Sequence, residues 1–341
     1  MIRVGLIGVG KMGLSHYAIL NAHPGVEVAA VADTSGLVLS VLQKYLGINT
    51  VKDYRQMLAL DRLDGVVIAT PPKTHADAVT WALEHGLHVF VEKPLCLSVE
   101  DGRRLALLAD RQRVVNQVGY HNRFVGTFQE TKRLVDSGII GHPYHISGEA
   151  YGQVVVKEES STWRSTKEEG GGCLHEYCSH VIDLMNYVVG PPKDVLGVVL
   201  ERIYSRDVED AVYATLAYPN GMSGQLATNW SDDTYRRMTT RLTVQGTRGK
   251  IISDREECRL YLSAGTASAE FADGWTVRNI TQLQPPVAYY LRGEEYTAQL
   301  DHFVQAVETG ARDPHANSFA SALQVDIVMD LLLHRARGAR A

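Results

Sequence analysis

The chain has 341 residues, 45% hydrophobic and 21% charged, a globular composition with room for roughly two domains. A net charge of −5 without a basic tract gives no electrostatic case for nucleic acid or an anionic membrane. No apolar run approaches the ~18 residues of a membrane span, the N-terminus reads as a strand and not as a signal peptide, and four cysteines without a C-x-x-C pair predict reduced thiols in a cytoplasmic protein.

The first 120 residues alternate β-branched runs with helical periodicity. Strands are expected at 2–7, 26–32, 65–69, 88–91 and 114–119, with helices at about 13–22, 35–46, 73–85 and 98–111. Continuous apolar strands separated by helices predict a parallel sheet covered on both faces, the doubly wound α/β (Rossmann) arrangement. Residues 1–120 are therefore expected to form one domain.

The first strand runs into Gly8-Val9-Gly10-Lys11-Met12-Gly13, a G-x-G-x-x-G turn that opens a helix. Gly8 allows the tight turn, Gly10 lets a pyrophosphate approach the backbone, and Gly13 lets helix and strand pack closely. The free N–H groups and partial positive charge at the helix start favour phosphate there, beside Lys11 and Met12. Asp33 ends the second strand 20 residues beyond Gly13, the spacing for a carboxylate on the adenosine ribose. It accepts a 2′-hydroxyl and repels a 2′-phosphate, and Thr34, Ser35 and Gly36 bring no arginine. NAD is preferred over NADP on this reading, although Lys11 or Lys44 could reach in. The third strand ends in Ala69-Thr70-Pro71-Pro72 followed by Lys73-Thr74-His75, and the fourth in Glu92-Lys93-Pro94. Both turns fall where a doubly wound sheet lines its cofactor crevice, so Thr70, Pro71, Pro72, His75, Glu92 and Lys93 join the predicted cofactor set.

After residue 120 strand signals dominate, at about 143–156, 193–206, 209–218, 222–231, 238–247, 249–254 and 257–262. Pro219-Asn220-Gly221 and Gly246-Thr247-Arg248-Gly249 mark turns between them, which predicts an antiparallel meander. Helices close the chain at about 293–309 and 315–336; residues 264–292 are the least interpretable. The second domain is expected over 121–341, with its closing helix free to pack back on the first.

These motifs, Gly8-x-Gly10-x-x-Gly13, Ala69-Thr70-Pro71-Pro72 with His75, Glu92-Lys93-Pro94, Gly119-Tyr120-x-x-Arg123-Phe124 and the run from Gly170 to Asp183, together resemble the glucose–fructose oxidoreductase / inositol dehydrogenase / rhizopine-catabolism (Gfo/Idh/MocA) family. The resemblance implies an α+β second domain on a large, mostly antiparallel sheet that makes the oligomer contact, giving a homodimer or homotetramer. It also implies reversible hydride transfer between a nicotinamide and a sugar or cyclitol carbon, with Lys93 and His180 as the pair that matters most and Asp183 near substrate hydroxyls. Family members commonly carry Asp where this chain has Glu176 and Gly where it has Cys178, so substrate geometry should shift.

Chemical need supports the same pair. Alcohol oxidation requires a group to take the hydroxyl proton, which suits His180 as general base, and general acid in reverse. A cation must steady the developing oxyanion, which suits Lys93. Glu176, four residues before His180 on an expected helix face, could orient that ring or bind a hydroxyl. Arg123 could pin a polyhydroxylated substrate, Trp163-Arg164 could cap the pocket, and Tyr235, in the loop after a strand, could stack on sugar. Cys173, His175, Glu176, Cys178 and His180 superficially suggest zinc, but the cysteines leave the face shared by Glu176 and His180, so no metal site is expected. Two other functions use the same cofactor site: glycoside cleavage through transient oxidation, and a non-catalytic dinucleotide-binding regulator.

Overall fold

The computed structural model describes residues 1–158, 163–287, 290–311 and 317–338. The chain opens as β1 (Ile2–Ile7), α1 (Lys11–Ala22), β2 (Val26–Ala32), α2 (Gly36–Leu46) and β3 (Asn49–Val51). It continues through the one-turn α3 (Met57–Leu60) to β4 (Gly65–Ile68), α4 (His75–Glu84), β5 (His88–Val91), α5 (Val99–Gln112) and β6 (Asn116–Val118). The strands form a parallel sheet in the order β3-β2-β1-β4-β5-β6. The order reverses between β1 and β4, so the crevice for a ligand opens at their carboxyl ends. Local signals explain the helix limits. Ser98 accepts the Asp101 N–H at the start of α5, with Glu100 and Asp101 in its first turn, and α2 stops at Gly47 in the left-handed region.

The remainder comprises α6 (Gly126–Asp136), β7 (Pro143–Tyr151), α7 (Ser179–Val189), β8 (Asp194–Glu201), β9 (Ala211–Ala217), β10 (Ser223–Asn229), β11 (Arg241–Gly246), β12 (Gly249–Ser253), β13 (Glu257–Leu262) and β14 (Gly274–Asn279). One-turn α8 (Ile280–Leu283) and then α9 (Glu294–Thr309) and α10 (Phe319–Gly338) complete it. The strands form one sheet, β14-β13-β12-β11-β7-β10-β9-β8, in which only β7 and β10 run parallel. Along β7, Ile146, Gly148 and Ala150 face α7: a Cβ on Gly148 would lie 2.5 Å from Val181 Cγ1. Ser147, Glu149 and Tyr151 alternate onto the other face, where Tyr213, Tyr261, Trp275 and Val277 stay exposed.

The chain divides into two compact units, Met1–His121 with Pro286–Leu323 and Asn122–Pro285 with Gln324–Ala341. A cut at residue 120 therefore omits a returning segment. In the first unit Leu300, Phe303 and Val304 of α9 share a core with Val4 and Leu6 of β1 and Ile19 and Leu20 of α1. Burying that apolar stripe on the sheet, at about 25 cal/mol per Å², is what assigns α9 to it. The sequence does not announce β3, α6 or β14. β3 is three residues long, α6 begins without a capping side chain and β14 lies in the stretch with the least legible pattern, so pairing and packing decide them. The expected start of the closing helix at 315 lies outside the described residues.

Candidate active site

The glycine turn after β1 shows three separate constraints. Gly8 takes φ +93°, and a Cβ there would meet Ala69 O at 2.8 Å. A Cβ on Gly13 would lie 2.0 Å from Gly8 O, whereas one on Gly10 would meet nothing within 4 Å. Gly10 is exposed and borders open space at the N-terminus of α1, which is room for a pyrophosphate against bare backbone. The Asp33 carboxylate fixes the turn by accepting the Val9 N–H at 2.7 Å and the Ser35 N–H at 2.8 Å. It is half-buried, so its remaining lone pairs stay within reach of a ribose. Lys11 is exposed and Met12 half-buried in the first turn of α1. These residues fit a dinucleotide.

The next two strand ends are built around histidines. Thr70 is half-buried, Pro71 exposed and Pro72 buried; the Thr74 hydroxyl donates to Thr70 Oγ1 at 2.8 Å. His75 is expected at the cofactor, but it is fully buried, with Nδ1 2.8 Å from Pro94 O and Nε2 2.9 Å from Thr70 O. Both ring nitrogens face backbone carbonyls, so the ring ties loops together and offers nothing to a ligand. Burial lowers its pKa against the raising effect of the two carbonyls. Glu92 accepts from His16 Nε2 at 2.6 Å and from the Lys93 N–H at 3.3 Å. Burial raises its carboxyl, but the His16 contact and the neighbouring Lys93 outweigh that and hold it below the ordinary value. Lys93 itself is half-buried at the carboxyl end of β5.

In the second unit the run Leu174–Cys178 is a π-turn that leads directly into α7; such widened turns are frequent at functional sites. Its start is held by Glu209, whose carboxylate accepts the Leu174 N–H at 2.9 Å, while Gly172, at φ +104°, leaves the space that carboxylate fills. Burial raises the pKa of Glu209. No sequence signal singles Glu209 out, because it lies in a loop far from the helix it caps. Glu176 is partly exposed, with Arg164 Nε 3.8 Å from its carboxylate. His180 sits in the first turn of α7, 5% exposed. The Trp163 side chain lies outside the described residues.

Three expected substrate contacts come out differently. Asp183 is fully buried, and both of its oxygens accept from Arg123 Nε, at 3.1 and 2.9 Å; the Arg123 guanidinium also lies over the Tyr187 ring at 5.1 Å. The pair spends its charges internally. Tyr235 stacks on Tyr151, with centroids 5.6 Å apart and planes at 17°, and Tyr151 stands on the sheet face opposite α7. Tyr235 is therefore grouped with the open face and not with His180. Cys173 and Cys178 are buried thiols raised by desolvation, and among the described residues no three metal-ligating side chains gather.

Two family models match the sequence. One, described as the oxidoreductase family with NAD-binding Rossmann fold, covers residues 2–120, and the GFO/IDH/MocA C-terminal domain covers residues 128–252. The chain belongs to the Gfo/Idh/MocA oxidoreductase family. Its similarity to the rhizopine catabolism protein MocA of Rhizobium meliloti is 27% identity over 98% of this chain and 95% of the relative. Similarity to the scyllo-inositol 2-dehydrogenase (NAD(+)) of Bacillus subtilis (strain 168) is 25% identity over 91% of this chain and 87% of the relative. Its fold is that of a levoglucosan dehydrogenase solved in complex with NADH, at TM-score 0.87 and 23% identity over 99% of this chain and 97% of that one. In this Gfo/Idh/MocA oxidoreductase the glycine turn and Asp33 belong to an NAD-binding Rossmann domain.

Proposed function

We propose that the chain is an NAD-dependent dehydrogenase that moves hydride between the nicotinamide and a hydroxyl carbon of a sugar, cyclitol or sugar derivative. The observation that carries this reading is an intact NAD-binding turn in a chain that also keeps Lys93 at the end of β5 and His180 at the start of α7. One similar protein, the scyllo-inositol 2-dehydrogenase (NAD(+)) of Bacillus subtilis, is named for chemistry of this kind, which supports the reading. NAD, when bound, supplies the electron-pair acceptor. His180 takes the hydroxyl proton in oxidation and returns it in reduction, since an imidazole changes charge near neutrality. Lys93 donates to the same oxygen and offsets its developing charge. Glu176 and Arg164, paired with each other and partly exposed, bind further hydroxyls; Glu176 reaches one methylene further than an aspartate. The open sheet face, with Tyr213, Tyr261 and Trp275, joins subunits into a homodimer or homotetramer, and the protein works in the cytoplasm.

The test is spectrophotometric. Purified protein is mixed with NAD or NADP and a panel including myo-inositol, scyllo-inositol, levoglucosan, free sugars and sugar phosphates, and reduced nicotinamide is followed by absorbance. Alcohol-dependent reduction of NAD, lost in both Lys93→Ala and His180→Ala, is the expected result. No reduction with any alcohol, while NAD binding is intact by titration, would sink the reading.

A further inference from the structure

We propose that two buried histidines, His16 and His75, are positioning residues that fix Lys93 by holding the Glu92-Lys93-Pro94 turn at two separate points. The proposal rests on the reading of Lys93 as the group that donates to the substrate oxygen.

His16 lies in α1, three residues after Gly13 and fully buried. Its ring meets Phe90 edge-on at 5.3 Å, and its Nε2 donates to Glu92 Oε1 at 2.6 Å. Its other nitrogen, Nδ1, is buried without a hydrogen-bond partner among the described residues. A buried polar atom left unpaired costs free energy that an aliphatic side chain would avoid. The ring is thus a poor choice for packing alone, and what it contributes is one directed N–H. The receiving carboxylate is confined as well: its Oε2 takes the Lys93 N–H, and a Cβ on Gly119 would lie 3.0 Å from it.

His75 holds the other end. It lies in α4, its ring set between the carbonyls of Pro94, just after Lys93, and Thr70, just after β4; the neutral ring has one N–H, and with that proton on Nδ1 it donates to Pro94 O. The helices carrying these histidines follow β1 and β4, the strands on either side of the topological switch. Neither ring is solvent-exposed, so neither touches a ligand directly. Together they tie α1 to the Glu92 side chain before Lys93 and α4 to the Pro94 carbonyl after it. A small displacement of a reacting group is enough to cost about 100-fold in rate, so fixing this turn has a catalytic consequence out of proportion to its size.

The test combines kinetics with a readout that needs no turnover. His16→Leu and His75→Leu are expected to lower kcat about 10- to 100-fold for the alcohol oxidised in the panel above, with the NAD Kd and substrate KM little changed. His16→Gln, whose amide reaches the position of Nε2, should restore most of the loss. In a Lys93→Ala background the same substitutions should cost little more, because residues that act through one another are not additive. In parallel, lysines are reductively methylated with 13C-formaldehyde, and the Lys93 signal is assigned by its absence in Lys93→Ala. That signal should move in both leucine variants. Additive kcat losses, or an unmoved Lys93 signal, overturn the proposal. If Lys93→Ala keeps full kcat, the catalytic reading of Lys93 fails on its own, and the methyl signal alone decides whether the histidines place it. Should the leucine variants not fold, His16→Gln is compared with His16→Asn, whose shorter amide does not reach Glu92.

Discussion

Asp183 and Arg123, 60 positions apart, close a buried pair in which one guanidinium nitrogen reaches both carboxylate oxygens. Breaking one side of such a pair leaves an unpartnered buried charge, at a cost of about 3–5 kcal/mol. Arg123→Ala should therefore lower the unfolding free energy by that amount in a urea titration. Replacing both with apolar residues of similar volume, Arg123→Met with Asp183→Leu, should recover most of it. A double variant as unstable as the single one would refute a purely internal pairing.

Two glycines of the nucleotide turn should separate folding from binding. A side chain at Gly10 points into open space, so Gly10→Ala should keep the wild-type melting temperature while the NAD Kd rises about tenfold, a loss near 1.4 kcal/mol. At Gly13 a Cβ would meet the Gly8 carbonyl at 2.0 Å, so Gly13→Ala should lower both stability and NAD affinity. Calorimetry and fluorescence titration measure the two. Equal melting temperatures for both variants would contradict the packing argument.

Asp33 holds the Val9 and Ser35 N–H groups and is the proposed ribose contact. Asp33→Asn keeps an acceptor oxygen and removes the charge. Its ratio of NADP to NAD dissociation constants should fall about tenfold, because a 2′-phosphate no longer meets a carboxylate. An unchanged ratio would assign cofactor choice elsewhere.

Asp210 should control acid stability in the second unit. It is fully buried and accepts N–H bonds from Ile203, Tyr204 and Ser205 at 2.6, 2.7 and 2.8 Å, plus the Ser205 hydroxyl and the Trp230 indole. Burial alone raises its carboxyl, but these donors outweigh that and hold it below the ordinary value. A depressed value contributes stability that is complete above the unfolded value of about 3.9 and drains as pH falls through the folded value. Asp210→Asn should cost about 3 kcal/mol at neutral pH, and its deficit against wild type should shrink as pH drops below about 4. A deficit that grows on acidification would reverse the assignment.

The sequence by itself determined the alternating first 120 residues, the glycine turn and the carboxylate at its fixed spacing, because each follows from local rules: apolar period, glycine conformation and helix-end charge. It also singled out Lys93 and His180, the proposed catalytic pair, since both stand inside short motifs at element ends. Only the tertiary structure decided what long-range partners do. It turned Arg123 and Asp183 toward each other, enclosed His75 between two carbonyls, and set Tyr235 on Tyr151. It also put Glu209 beneath Leu174 and Glu92 on His16, 76 positions away. Desolvation and partner geometry govern these contacts, and neither is encoded in the spacing of neighbouring residues. The same holds for α9, whose apolar stripe is legible as a helix but finds its place only when the β1 face is there to bury it.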